Sequence, residues 1–203
     1  MTLPTSYSWS SVGERLAIAY EAPAGRRLNV LGAYFSHGPL AGHFVFECWA
    51  KLPERETKGK PLAGPAARHG LPAEAVGTIT GERFVAFLWK VAGRPAVADV
   101  DWRRERPLWI VLDNYSVHKG EEVRAALPAL QRAGVQLWYL PPYSPELSDI
   151  EPIWRSVKHH DLPKRSFELL GDLKHAVEVT LAKKAAVLRL ACGKTDHLLH
   201  LAA

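Results

Sequence analysis

The sequence has few of the features that mark membrane, secreted or thiol-rich proteins. Its 203 residues contain no run near the roughly 18 uninterrupted apolar residues that a membrane-spanning helix needs. The first residues, MTLPTSYSWSS, do not contain a basic segment followed by an apolar run, so we expect no secretory signal. The two cysteines, Cys48 and Cys192, lie outside any CxxC spacing, and we expect small buried hydrophobes, not a disulfide framework or a zinc site. These absences predict a cytoplasmic protein with no membrane partner.

Several catalytic and nucleotide-binding motifs are missing as well. No GxxxxGK[ST] or GxGxxG loop follows a predicted strand, which disfavours nucleotide-driven and dinucleotide-dependent enzymes. GxSxG and HExxH are absent, and the nine histidines are scattered, which disfavours nucleophile-elbow hydrolases and zinc proteases.

The charge balance is mildly basic and uneven. Lys and Arg number 26 against 21 Asp and Glu. Residues 101–150 have a net charge of −1, whereas the segments on either side have +3 each. A polyanionic partner fits this pattern, but so does an ordinary solvated surface, because many proteins without a nucleic-acid partner are as basic.

Short apolar runs come first along the chain and amphipathic helices come later. Residues 28–35 and 42–49 are predicted to be an antiparallel pair of strands, and residues 51–77, rich in Pro and Gly, a loop or insertion. Thr80 is predicted to cap a helix whose apolar residues recur at helical spacing, namely Phe84, Phe87, Leu88 and Val91.

Strands and helices alternate in the second half. The sequence predicts a buried central strand at Leu108–Leu112, a helix at Glu121–Arg132 with a break or kink at Pro128, and a strand at 135–140. Helices at 150–160 and 167–190 follow. A hairpin followed by such alternation predicts an α/β fold, a mixed sheet with flanking helices whose later strands are parallel.

Asp113 directly follows the most apolar strand of the chain. In open α/β sheets, sites lie at the carboxyl ends of central strands, and LDNYSVH adds Asn114, Ser116 and His118 at that end. Asp is also common at strand ends because its side chain accepts hydrogen bonds from the next backbone amides, so a simple turn is the alternative.

Glu151 follows a stiff, proline-rich loop in LPPYSPELSDIEPIW. Pro152 suits a first helical turn, so Glu151 begins the helix, and an acid there is also favoured by the helix dipole alone. Glu146 and Asp149 are nearby rivals for any acidic role. Two carboxylates from adjacent elements suit Mg²⁺ or Mn²⁺, and a pair of such ions suits phosphodiester chemistry.

Cations follow Glu151 along the same predicted helix. Arg155 and Lys158 stand where a phosphate backbone would run if the acids form a metal site, and Lys119 lies near Asp113 in sequence. A solvated helix face is the alternative reading for these residues.

LDNYSVH together with LPPYSPELSDIEPIW resembles the second and third parts of the DDE catalytic triad of mariner-like transposases, in particular the bacterial insertion-sequence branch. The resemblance implies an RNase H-like fold, two Mg²⁺ or Mn²⁺ ions, and cleavage and transfer of DNA strands. It implies that Asp113 and Glu151 are catalytic metal ligands, that Asn114 and His118 support the site, and that transposon ends and target DNA are partners.

The sequence departs from that family in three ways. Ser148 and Asp149 replace the usual Asn-Pro before Ile-Glu, and 37 residues separate Asp113 from Glu151, where the family commonly has a few fewer. The third departure is that no Asp or Glu precedes Glu14, although the family's first catalytic Asp should stand on a strand before SYSWSSVGER. We therefore expect residues 1–165 to be an RNase H-like catalytic domain lacking its first strand, and residues 166–203 a helical extension.

These departures leave three functions open. The leading hypothesis is a transposase catalytic domain, impaired by the missing first Asp, acting as a homodimer near the bacterial nucleoid and served by an N-terminal portion encoded upstream. The alternatives are an inactive DNA-binding remnant and an RNase H-like nuclease that cleaves RNA–DNA hybrids.

Overall fold

The computed structural model describes Val12 and residues 27–59, 61–97, 99–163 and 167–200, the last seven of these by backbone alone. Within these residues, the strands and α-helices in chain order are β1 Arg27–Tyr34, β2 Phe44–Lys51, α1 Glu54–Thr57, α2 Ala63–Arg68, α3 Gly81–Val91, β3 Leu108–Leu112, α4 Glu121–Arg132, β4 Val135–Tyr139, α5 Glu151–Ser156 and α6 Leu170–His200. The prediction that the domain lacks the first strand of an RNase H-like sheet concerns residues before Arg27, which apart from Val12 lie outside the described residues.

The strands form two small sheets in the described part of the chain, β1 with β2 and β3 with β4. The first is a hairpin, in which Phe35 N donates to His43 O at 2.9 Å and Gly42 N donates to Phe35 O at 2.8 Å. In the second, β3 and β4 are parallel, with Leu108 opposite Val135 and Leu112 opposite Tyr139. The prediction that the later strands are parallel is confirmed. The α/β class is also confirmed, but the single mixed sheet is not seen among these residues.

The chain forms two compact units. The first contains the described residues up to Asn29, Cys48–Thr78 and Ile153–Lys184. The second contains Val30–Glu47, Ile79–Pro152 and the described residues from Ala185 onward.

The first unit has a core drawn from β2, from the segment after it and from α6. Its buried members are Ala50, Leu52, Ala66, Leu71, Val76 and Leu170. The prediction of a loop at 51–77 is wrong, because this segment contains α1, α2 and a 3₁₀ turn at Ala73–Ala75. Its prolines are compatible with helix because Pro53 and Pro72 precede helical turns and Pro65 lies within the first turn of α2.

The second unit packs α3 and α4 together beside the β3–β4 sheet. The Thr80 cap is confirmed, since its Oγ1 accepts a hydrogen bond from Arg83 N at 3.3 Å. Of the break or kink predicted at Pro128, the break is wrong, because α4 continues through this residue to Arg132. The buried residues of the two helices are Phe84, Phe87, Leu88, Val91, Val123 and Leu130.

The two faces of β3 differ in burial. Leu112 is buried, but Trp109 is 61% exposed and Val111 is 54% exposed. On β4, Trp138 is also 61% exposed, and its ring meets that of Trp109 edge to face with centroids 6.1 Å apart. The prediction of a strand buried on both faces is therefore wrong for β3. No helix in the described part of the chain combines the length and hydropathy that crossing a bilayer requires.

Candidate active site

The candidate site lies where β3 and β4 end. Parallel strands end at the same edge of a sheet, which brings the residues after β3 and β4 together. Leu140 N donates to Leu112 O at 2.8 Å, and Asn114 Nδ2 donates to Leu140 O at 2.6 Å. The start of the loop that leads to Glu151 is thus fixed relative to Asp113.

Asp113 is held through one of its two carboxylate oxygens. Oδ1 accepts a hydrogen bond from Tyr115 N at 3.0 Å and lies 2.7 Å from His118 Nδ1. Oδ2 accepts no hydrogen bond from the residues that the structure describes, and the side chain is 66% exposed. The carboxylate is therefore oriented but still accessible. The turn expected at this position is present, and the contact with His118 goes beyond what a turn requires.

His118 is itself held on several sides. Its side chain is only 13% exposed. The ring stacks on Phe84, with centroids 4.3 Å apart, and meets the edge of Tyr115 at 5.6 Å. Its carbonyl oxygen accepts a hydrogen bond from the Tyr139 hydroxyl at 2.7 Å. A ring fixed in this way is able to fix the carboxylate that it contacts, which agrees with the supporting role expected of His118.

Lys119 completes the cluster. Its ammonium contacts Asn114 Oδ1 and lies 5.4 Å from the centroid of the Tyr139 ring. Burial raises the pKa of the Tyr139 hydroxyl, which therefore stays protonated and able to donate. The Lys119 side chain is exposed, so the residue predicted to bind DNA lies at the surface while its ammonium already has partners within the site.

Glu151 follows a loop that contains backbone hydrogen bonds of its own. The loop contains Tyr143 in the left-handed region, at φ 59°, and a 3₁₀ turn at Pro145–Leu147. Glu151 N then donates to Ser148 O at 3.1 Å, and Glu151 is the first residue of α5 with an exposed side chain. Its predicted place at a helix start is confirmed.

The rival acids Glu146 and Asp149 are exposed as well. The pKa of Tyr34 is raised by burial, then by the negative charges of Cys192 and Asp149.

The remaining predicted cations lie after Glu151. Arg155 is an exposed residue of α5, and Lys158 is an exposed residue of the π-helical turn Val157–Asp161 that follows it. Trp154, in the same helix, is half-buried, which agrees better with packing than with a base-stacking role.

The donor set at the candidate site fits a hard divalent cation. Asp113 and Glu151 both offer exposed carboxylate oxygens from one compact unit, and oxygen is the donor that Mg²⁺ and Mn²⁺ prefer. Across residues 27–193, leaving out the undescribed positions, no group of three or more His, Cys, Asp or Glu is placed to hold a metal ion. The placement of the Asp113 and Glu151 carboxylates in one metal site therefore stays a prediction.

Sequence reasoning did not identify Phe84 and Tyr139 as part of this site. Tyr139 is the last residue of β4, at the edge where polar groups gather, and this position was a usable signal. Phe84 gave no signal of a role in the site, because it belongs to the apolar residues that recur at helical spacing in α3 and are typical of a core.

Comparison with known proteins gives one family. The family described as DDE superfamily endonuclease matches residues 67–174, just over half of the chain. The matched span contains both Asp113 and Glu151. A search of curated proteins found no match. Such endonucleases act on DNA and generally use divalent metal ions. The chain therefore belongs to the DDE superfamily of endonucleases.

Proposed function

We propose that the protein is the catalytic domain of a transposase of the mariner-like superfamily, in its bacterial insertion-sequence branch. It has an RNase H-like fold and cleaves and joins DNA strands at element ends and target sites. The observation that carries this proposal is the Asp113–His118 pair at the end of β3, with Oδ1 and Nδ1 2.7 Å apart. An acid that is oriented by buried neighbours and still exposed is what a reactive site needs.

Asp113 and Glu151 would hold Mg²⁺ or Mn²⁺, with two ions in a complete site. Such ions activate the attacking oxygen of water or a DNA 3′-hydroxyl and stabilise the leaving oxygen. His118 and the Tyr115 amide keep Oδ1 of Asp113 in place, which leaves Oδ2 for the ion. Asn114 keeps the two strand ends together, and Lys119, Arg155 and Lys158 bind the DNA backbone.

The resemblance implies three acids, and residues of this sequence match the second and the third. We propose that the 203-residue polypeptide assayed alone cleaves DNA weakly, because a two-ion site needs all of its ligands. A homodimer is the proposed assembly, and the nucleoid is the proposed location.

The first experiment measures Mn²⁺ binding to the purified chain by electron paramagnetic resonance and Mg²⁺-dependent nicking of a supercoiled plasmid. Asp113→Asn and Glu151→Gln are each expected to weaken Mn²⁺ binding at least tenfold and to remove the residual nicking. Glu146→Gln and Asp149→Asn remove the same charge from the same loop and are the matched controls. Mn²⁺ binding that is unaffected by both site variants would overturn the assignment of the ligands. Vigorous nicking abolished by Asp113→Asn would show that a third acid is dispensable.

A second candidate is a DNA-binding remnant without catalysis. It is favoured by one observation, the exposure of Lys119, Arg155 and Lys158, because exposed cations bind a phosphate backbone without a metal ion. Duplex binding that needs no divalent ion and is unchanged by Glu151→Gln, without any nicking, would favour this candidate. Cleavage of RNA–DNA hybrids without cleavage of DNA would instead favour an RNase H-like nuclease.

A further inference from the structure

The π-helical turn Val157–Asp161 presents adjacent cationic and imidazole side chains to solvent. Val157 is 3% exposed and anchors the turn, whereas Lys158, His159 and His160 are exposed. A π turn is less favourable than a continued α-helix and persists where neighbouring contacts hold it.

Three side chains hold this turn at its ends, and we call them the Ser156–Asp161–Lys184 cluster. Lys184 Nζ lies 2.8 Å from Asp161 Oδ2 and donates to Ser156 Oγ at 2.7 Å. Ser156 Oγ lies 3.1 Å from the same Asp161 oxygen. The Lys184 side chain, on α6, is only 16% exposed. Its ammonium therefore serves the turn and is poorly placed to bind a ligand itself.

The cluster also sets the charge of the turn. Asp161 is the only acid in the sequence between Glu151 and Glu168. Partial burial would raise the pKa of Asp161, but hydrogen bonds from Lys184 and Ser156 and the charges of Lys184 and His160 together lower it. Asp161 is thus ionised at neutral pH, and its charge is balanced by Lys184. Without Lys184, an uncompensated anion would lie in the same turn as Lys158.

We propose that the π turn is a contact for the DNA phosphate backbone and that Lys184 is a positioning residue, which neutralises Asp161 and touches no DNA itself. The proposed function supplies only the ligand, DNA. The roles of Lys184 and Asp161 follow from the contacts within the turn.

The test is a fluorescence-anisotropy titration of the full chain with a short labelled DNA duplex of arbitrary sequence, without divalent ions and at several salt concentrations. Lys184→Met is expected to weaken binding about fivefold, the size of one uncompensated charge near a surface site. The double variant Lys184→Met/Asp161→Asn removes both charges, so its affinity for the duplex is expected to lie within about twofold of that of the unmodified chain. Asp161→Asn alone is expected to bind the duplex at least as tightly as the unmodified chain does. Lys158→Ala is expected to reduce the salt dependence by about one phosphate contact.

The matched control is Lys183→Met, which removes an exposed charge next to Lys184 on the same helix. Its effect is expected to be smaller than that of Lys184→Met and not to be reversed by Asp161→Asn. A role in folding alone predicts instead that Asp161→Asn weakens DNA binding in step with thermal stability. That result, or a double variant as weak as Lys184→Met, would overturn the proposal. An unchanged salt dependence in Lys158→Ala would overturn it, together with the DNA contact assigned to Lys158 above, while leaving the proposed metal ligands and DNA cleavage standing. An unmodified chain that binds no duplex would overturn both this proposal and the proposed function.

Discussion

Asp113 and Asp161 are two carboxylates held at the ends of structural elements, and their partners differ in kind. Asp113 is contacted by a backbone amide and an imidazole nitrogen, and its side chain is 66% exposed. Asp161 is contacted by an ammonium and a hydroxyl group, and its side chain is 32% exposed. A carboxylate that a lysine already neutralises has little attraction left for another cation. The comparison shows why the first acid suits a metal site and the second suits a structural role.

The largest expected effect comes from removing the group that orients Asp113. His118→Ala leaves Asp113 Oδ1 with the Tyr115 amide as its one contact from the described residues, and the carboxylate is then free to rotate. Loss of such a supporting partner typically costs ten- to a hundredfold in metal affinity or activity. We expect a loss of that size in Mn²⁺ affinity, measured by electron paramagnetic resonance on protein shown to be folded by circular dichroism.

The control for this prediction is His37→Ala, which removes an exposed histidine from the β1–β2 hairpin, far in sequence from Asp113. It is expected to leave Mn²⁺ affinity unchanged. If His118→Ala binds Mn²⁺ as tightly as the unmodified chain does, the distinction between the two carboxylates does not depend on His118.

A smaller effect is expected from Tyr139→Phe. This change removes the hydroxyl that donates to His118 O at 2.7 Å and leaves that carbonyl without its donor. We expect the free energy of unfolding to fall by about 1 kcal/mol, measured by urea denaturation. Tyr143→Phe removes a hydroxyl from a fully exposed side chain and is expected to have no effect. Equal effects of the two changes would contradict the support that we assign to Tyr139.

The smallest effect concerns the pH dependence of stability. The pKa of Asp161 is lowered from 3.8 in the folded protein, so its interactions stabilise the fold above the ordinary aspartate pKa. That stabilisation is lost as the pH falls through the lowered pKa. We expect the stability difference between the unmodified chain and Asp161→Asn to shrink below about pH 4, measured by thermal unfolding across pH. A difference that stays constant down to pH 2 would argue against the Lys184 ion pair.

Local patterns predicted much of the secondary structure. The bounds of β3 and α4 agree with the sequence, because an apolar run and a helical stripe are local signals. The grouping of Asp113, Asn114 and His118 was also predictable, since all three follow one strand within six residues. Their contacts with Phe84 and Tyr139 were not, because these depend on how α3 and β4 pack.

Two errors have separate physical causes. The helices in residues 51–77 were missed because proline was taken as a helix breaker, although it fits the first turn of a helix. The exposure of Trp109 was missed because an apolar run does not reveal how many layers cover a strand. The pairing of Asp113 with Glu151 in one metal site remains a prediction.

The exposed face formed by Trp109, Val111 and Trp138 has a practical consequence for solution studies. Three large apolar side chains lie on neighbouring strands, and two of them are in ring contact. Contiguous apolar surface promotes self-association, which strengthens with concentration and with sulfate or phosphate salts. A dimer seen in concentrated sulfate buffer would therefore indicate salt-promoted hydrophobic contact between the exposed tryptophans of two chains. Only an assembly that survives dilution in a weakly salting-out buffer would bear on the proposed homodimer.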